Sequence, residues 1–240
     1  MEYREHLPPP GLAPWVERLW ERGDGGGPPV RIVPDGCIDV VWTRGAGAQV
    51  VGANTTAFLV SVTPGSHVAG ARLSPGAAPA LLGVDAQALR DGRVPLHDVW
   101  GDDGRRLEAA LEASPDPLRA LAAALAQRAP ACAAVDPLVR AVVTRLQSDA
   151  AEVGTLAHEL YVSERQLRRR VTGAVGYGPK RLGRVLRLGR ALSAARDGRN
   201  GRDLRDLSRV AADAGYADQA HFGHDCVALA GAAPSVVLAA

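Results

Sequence analysis

The sequence predicts an α+β chain: a small β-barrel or sandwich with flanking helices, then an all-α region. Three observations carry this. Residues 1–103 hold short β-branched runs separated by Gly, Pro, Asp and Asn, the pattern of a small all-β unit. From residue 104 the apolar residues recur at three- and four-residue steps, the helical period. Residues 154–226 then contain one short pattern twice: an apolar-faced helix, a tight turn, and a second helix started by Ser163 or Asp218. That is the layout of a helix-turn-helix, whose second helix can enter the DNA major groove.

In order along the chain, Leu12, Trp15, Val16, Leu19 and Trp20 have helical spacing and predict a helix packed on the β unit. Residues 30–33, 37–42, 49–52, 57–62 and 67–73 read as strands, with turns at 34–36, 45–47 and 64–65. Residues 77–82 read as a short helix. Leu107, Leu111, Leu118, Leu121, Ala122 and Leu125 predict two helices broken at 114–117, where Ser-Pro-Asp-Pro interrupts the period. Residues 129–135 read as a linker. Asp136 caps the next helix with Pro137 at its first position, and Leu138, Val142 and Leu146 form its apolar stripe. The expected organisation is a sensory or effector domain over 1–103, a helical linker or dimerisation segment over 104–135, and a DNA-binding domain over 136–240.

Charge divides along the same line. Residues 136–240 carry 16 basic against 11 acidic groups, a net of +5, while residues 1–135 carry 12 against 15, a net of −3. From Arg165 to Arg190 there are nine basic residues and no acidic one, which suits a polyanionic partner. The three cysteines, at 37, 132 and 226, show neither a disulfide framework nor a CxxC pair. His6, His67, His97 and His158 lack metal-ligand spacing, and no phosphate loop, nucleophile elbow or HExxH occurs. Neither a signal peptide nor a long apolar run is present, so the expected protein is cytoplasmic, without cofactor or metal, and not an enzyme.

In the first copy, Leu156, Ala157, Leu160, Val162, Leu167 and Val171 fall where two crossed helices pack, and Ser163 caps the second helix. With Leu167 inward, Arg165, Arg169 and Thr172 point away from the core, flanked by Gln166 and Arg168. Arg and Gln are suited to guanine and adenine edges. Tyr161 occupies the turn, where a positive φ calls for Gly or Asn. A connecting helix follows Gly178-Pro179, apolar along Leu182, Val185, Leu186, Leu192 and Ala195. Lys180, Arg184, Arg187 and Arg190 on it are the candidates for phosphate contacts. With this spacer, reading helices starting near residues 164 and 218 could lie about 34 Å apart, one turn of DNA. In the second copy Val210, Ala211, Ala214, Phe222 and Cys226 form the core, with Gly215 at the turn and Asp218 as cap. Its outward face, Ala220, His221, Gly223, His224 and Val227, has no fixed positive charge, so it is the poorer reader.

Residues 136–238 resemble the AraC-type DNA-binding domain. The matching stretches are Leu-Tyr-Val-Ser-Glu-Arg-Gln-Leu-Arg-Arg from Leu160, Val-Leu-Arg-Leu-Gly-Arg-Ala from Val185, Ala-Gly-Tyr-Ala-Asp-Gln-Ala-His-Phe from Ala214, and Gly231-Ala-Ala-Pro234. The resemblance puts base-reading positions at Arg165, Arg168 and Arg169, then at Ala220, Gly223 and His224. The family usually has Arg at the position of His224 and an aromatic at that of Cys226; this chain departs at both. Residues 1–113 resemble a sensory domain of unassigned function found ahead of such domains, through Val33-Pro-Asp-Gly-Cys-Ile-Asp39, Val51-Gly52 and the segment from Gly70 to Ala77. The resemblance implies a cupin-like N-terminal barrel that binds a small effector or mediates dimerisation.

Within that half, Cys37, Trp42 and Arg72 are the candidate effector contacts. Each also has a plainer reading. The Asp35-Gly36-Cys37 step is a turn before a strand, Trp42 is core, and Arg72 pairs with Asp35 or Asp39. The expected protein is a sequence-specific regulator, activator or repressor, that binds double-stranded DNA. A small effector, a second copy and RNA polymerase are candidate partners, and a membrane is not. Two alternatives stay open: a protein-interaction regulator whose second reader is degenerate, and an enzyme fused to a DNA-binding domain, such as an alkyl-transfer protein using Cys37.

Overall fold

The computed structural model describes residues 3–23, 28–61, 63–148, 151–198 and 207–239. The N-terminal half supplies eight strands: β1 (Arg4–His6), β2 (Val16–Arg22), β3 (Val30–Ile32), β4 (Ile38–Thr43), β5 (Gly47–Val51), β6 (Phe58–Val60), β7 (Val68–Leu73) and β8 (Arg93–Pro95). Six form one open antiparallel sheet in the order β1-β2-β7-β4-β5-β8, and β3 pairs with β6 in a separate ribbon. The strand expectations over 30–33, 37–42, 49–52, 57–62 and 67–73 match β3 to β7 within two residues; Val62 lies outside the described residues.

One expected element is different. The segment around Leu12–Trp20 is a turn followed by β2, not a helix. The cause is a β-bulge between Val16 and Arg18, which shifts the register against β7. The extra residue places Val16 and Leu19 on the buried side although they stand three apart, so the strand imitates the helical period.

Alternation divides the faces of the sheet. Val40, Trp42, Ala69, Ala71 and Leu73 lie in the core beneath the helices. The other face carries Asp39 and Arg72, directly paired across β4 and β7. Trp20 lies over Gly70: a Cβ there would come within 2.3 Å of the indole ring.

The helices of this half are α1 (Ala78–Leu82), α2 (Ala86–Leu89), α3 (Leu96–Trp100), α4 (Asp102–Ala113) and α5 (Pro117–Arg128). The Asp116 side chain accepts from the Arg119 N–H, with Pro117 opening the helix, so the break at 114–117 comes from cap chemistry. Leu111, Leu121 and Leu125 are fully buried, and α5 packs across β2 and β7. After a single 3₁₀ turn (Ala129–Ala131), α6 (Pro137–Ser148) begins with the Leu138 N–H donating to Asp136.

The remaining helices are α7 (Val153–Glu159), α8 (Glu164–Val175), α9 (Pro179–Gly198), α10 (Leu207–Asp213), α11 (Gln219–Asp225) and α12 (Pro234–Ala239). Between α11 and α12 the chain makes a turn of π-helix, Cys226–Ala230. The two halves touch at several points. α1 and α2 pack on α8, and Gly176, left-handed at the end of α8, comes close to the Ala86 carbonyl. A side chain at Gly176 would meet that carbonyl at 3.1 Å. The Ala57 N–H donates to Leu229 O at 2.7 Å, and Arg31 donates to Ala230 O at 2.8 Å.

Candidate nucleic-acid interface

In the first unit, α7 and α8 meet at a turn where Tyr161 holds φ 53° and is 96% exposed. This is the left-handed conformation that the sequence placed there, adopted by a residue that bears its steric cost. Ser163 and Gln166 then form a reciprocal capping box. The Ser163 hydroxyl accepts the Gln166 N–H at 3.2 Å, and the Gln166 side chain accepts the Ser163 N–H at 3.1 Å. Gln166 is thus engaged at the helix start.

Leu167 and Val171 are fully buried, which fixes the roll of α8. Arg165 and Arg169 are exposed, and neither has a hydrogen bond or ion pair among the described residues. Thr172 is half-buried on the same side. Arg168 pairs with Glu164 one turn earlier at 3.2 Å. Arg170 grips Asp136 with two nitrogens, Nε at 2.8 Å, tying α8 to the start of α6. Asp136 sits below its ordinary carboxylate value: burial raises it, but the Arg170 hydrogen bond and the Leu138 N–H together outweigh that.

The connecting helix departs from expectation. Arg184, Arg187 and Arg190, the candidates for phosphate contacts, are half-buried and each has a partner within the protein. Arg184 donates to Asp225 from Nε at 2.9 Å and lies 2.7 Å from it through Nη2; Asp225 is only 2% exposed. Arg187 lies over the Tyr216 ring at 5.2 Å. Arg190 donates to the carbonyls of Leu146, Gln147 and Ala214, closing the end of α6 against the turn after α10. The reason is geometric. α9 runs between the two units, so side chains that periodicity alone places on its polar side reach partners on α6, on α11 and in the turn after α10 while staying partly exposed. Lys180, at the start of α9, is exposed and makes no hydrogen bond or ion pair among the described residues.

In the second unit, Gly215 takes φ 81° at the turn and the Asp218 side chain accepts the His221 N–H at 2.7 Å. Phe222 and Cys226 are fully buried. Ala220 and His224 are exposed, while Gly223 and His221 are partly covered, the His221 ring standing edge-on to Tyr216 at 5.1 Å. Sequence reasoning missed Asp225 as the buried anchor of this unit. Its signal was one acid directly before the apolar run from Cys226 to Ala230.

In the N-terminal half the three effector candidates do not converge. Trp42 is buried on the helical side of the sheet, while Arg72 lies on the opposite face. Arg72 stands 3.3 Å from Asp35, 3.8 Å from Asp39 and 3.3 Å from Glu5, the pairing that its sequence context suggested. Asp39 also accepts from Trp20 Nε1 at 2.9 Å; burial pushes its carboxyl up to about 7 against the pull of Arg72. Cys37 is buried. That burial, with Asp35 and Glu17 alongside, pushes its thiol well up, away from the reactive thiolate. No group of three or more His, Cys, Asp or Glu side chains suited to a metal ion occurs among the described residues, and no helix there is long and apolar enough to cross a membrane.

Two helix-turn-helix units joined by one long helix make up the C-terminal region, the architecture of DNA-reading modules. Residues 156–240 match the model of a helix-turn-helix domain, and residues 4–95 match that of a domain of unknown function (DUF6597). No curated protein matches the chain. Among solved structures, a probable AraC family transcriptional regulator from Rhodopseudomonas palustris is similar at 21% identity and TM-score 0.36, covering 43% of this chain and 96% of its own. ToxT from Vibrio cholerae is similar at 10% identity and TM-score 0.47, covering 99% of this chain and 98% of its own.

Proposed function

We propose that this regulator reads duplex DNA chiefly through α8, with Arg165 and Arg169 on base edges and Thr172 and Arg168 beside them. The observation that carries this reading is the division of labour among the arginines. On α8 and α9, Arg168, Arg170, Arg184, Arg187 and Arg190 all have partners within the protein, while Arg165 and Arg169 are exposed without one. A guanidinium left free opposite the buried Leu167 is suited to a bidentate contact with guanine. In this reading α11 is a second, weaker reader through Ala220, His221, Gly223 and His224, and Gln166 acts by fixing the start of α8. Residues 1–135, in which α4 and α5 pack with the sheet, form the regulatory unit; a small effector or a second copy acts there, in the cytoplasm, and the chain is not an enzyme.

The test is Arg169→Ala on a site selected from random duplexes. It should cost about 1–3 kcal/mol and relax preference at one base pair, leaving thermal stability unchanged. An equal loss on all sequences would assign Arg169 to the backbone and end this reading.

A further inference from the structure

A pocket of about 440 Å³ lies between α8 and the start of α9. Arg168 and Thr172 line it from α8, Gly178 from the turn before α9, and Lys180, Arg181 and Arg184 from α9; no carboxylate is among its lining residues. Arg184 is already neutralised by Asp225, and Arg168 by Glu164. Lys180 and Arg181 have no carboxylate partner among the described residues, and Arg181 Nε is buried without an acceptor. The pocket also meets the first turn of a 20-residue helix, whose dipole favours an anion; the Arg181 and Leu182 N–H groups already donate to Gly178 O, and the Lys180 N–H is left for a ligand. Two uncompensated cations, a hydroxyl and a helix start match a tetrahedral oxyanion.

We propose that this pocket holds a phosphate group of the DNA backbone, and that Arg181 couples its occupancy to the N-terminal half. The proposal rests on the reading of α8 as the DNA-reading helix. Because α8 supplies part of the wall, an anion lodged there lies beside the groove-facing arginines, where a backbone phosphate of the same half-site passes. Arg181 also donates to Thr55 O at 3.0 Å. The Thr55 N–H and hydroxyl both donate to Asp91, at 2.6 and 2.8 Å, and Asp91 holds φ 56° between α2 and β8. Two residues on, Ala57 donates to Leu229 beyond the second reader. The guanidinium thus joins the pocket to the 52–57 loop, and linkage requires any coupling to act in both directions.

The experiment replaces each phosphate of a selected duplex in turn with neutral methylphosphonate, and measures binding of the full chain and of Lys180→Met. One position flanking the α8 half-site should weaken the wild type several-fold and leave Lys180→Met with no further loss. The variant should also lower the salt slope by about one. Additive losses at every position would overturn the pocket as a backbone site, even with specific binding intact; loss of specific binding altogether would instead count against the reading of α8. Inorganic phosphate, followed by NMR at the Lys180 and Arg181 amides, separates the sources. Displacement of phosphate by the duplex is expected, and simultaneous binding of both would overturn the assignment to DNA.

For the coupling, Asp91→Gly keeps the positive φ and removes the hold on Thr55. It should shift affinity for the intact duplex several-fold and leave the duplex lacking the sensitive phosphate unaffected. Equal shifts on both duplexes would break the link. In the wild type, slower exchange of the Ala57 amide on binding is expected, and unchanged exchange would contradict the coupling whatever the variant's stability.

Discussion

The two reading helices share a layout but differ in what holds them. α8 runs 12 residues, closes its own start with a capping box and ends on a left-handed Gly176. α11 runs 7 residues, has the single Asp218 cap, and passes into a turn of π-helix. Its support is borrowed: Arg184 neutralises the buried Asp225 and Arg187 covers Tyr216. The first helix, secured by its own caps, leaves cations free on its outer face. The second draws cations of the connecting helix inward to hold it. On the proposed reading, the basic run from Arg165 to Arg190 serves two ends, recognition at its start and folding at its finish.

The largest effect expected from this contrast is on stability. Arg184→Ala strands a carboxylate that is 2% exposed and should destabilise the C-terminal region by about 1–3 kcal/mol, less than a fully buried pair because Arg184 is 37% exposed. Thermal or urea unfolding checks it; Arg165→Ala in the same assay should be neutral. If Arg184→Ala melts like the wild type and merely weakens DNA binding, Arg184 is a phosphate contact after all and the contrast collapses.

Next, His224→Arg should give the second reader the fixed charge it lacks, tightening binding by about 1 kcal/mol and adding a base preference under α11. Fluorescence anisotropy on selected sites measures this. No gain would mean that α11 does not approach the groove.

A smaller effect concerns the turns. Tyr161→Gly should relieve a left-handed strain of about 1 kcal/mol, less the entropy that Gly adds to the unfolded chain, and raise the melting temperature slightly. Tyr161 is 96% exposed and loses little packing, whereas Gly215→Tyr at the equivalent turn should destabilise. A drop in stability for Tyr161→Gly would show that the strain account is wrong.

The smallest effect is confined to acid. Asp136 has a lowered folded pKa, so its contribution is present above the ordinary value of 3.8 and is lost as pH falls through the folded value. Asp136→Asn should remove this part of the acid sensitivity and loosen α8 from α6, with no change in the pH dependence near neutrality. An Asp136→Asn protein with the same acid profile as the wild type would exclude the Arg170 pair as its source.

The helical half was legible because its signals are local. Ser163, Asp218, Pro137 and Gly215 carry capping and turn chemistry in the residue itself, and Leu167 and Phe222 set the roll of each reading helix. β2 was misread because a bulge gave a strand the three-residue spacing of a helix. The partners that Arg184, Arg187 and Arg190 find inside the protein were not legible, because periodicity reports which side of a helix is polar, not what faces that side. Arg72 was read correctly because a charge in an apolar strand demands a partner, and Asp39 lies across from it in register. The pocket between α8 and α9 was invisible in the sequence, since its walls come from residues 153–184 brought together only by the turn at 176–178.

The unequal-reader account is tested most directly by selecting bound duplexes from a random pool with the full chain, then repeating the selection with Arg165→Ala/Arg169→Ala. The wild type should enrich one well-specified half-site and one permissive half-site about a helical turn away. The double variant should lose the specified half-site and retain the weak one. Two equally specified half-sites, or a strong half-site that survives both substitutions, would contradict the account.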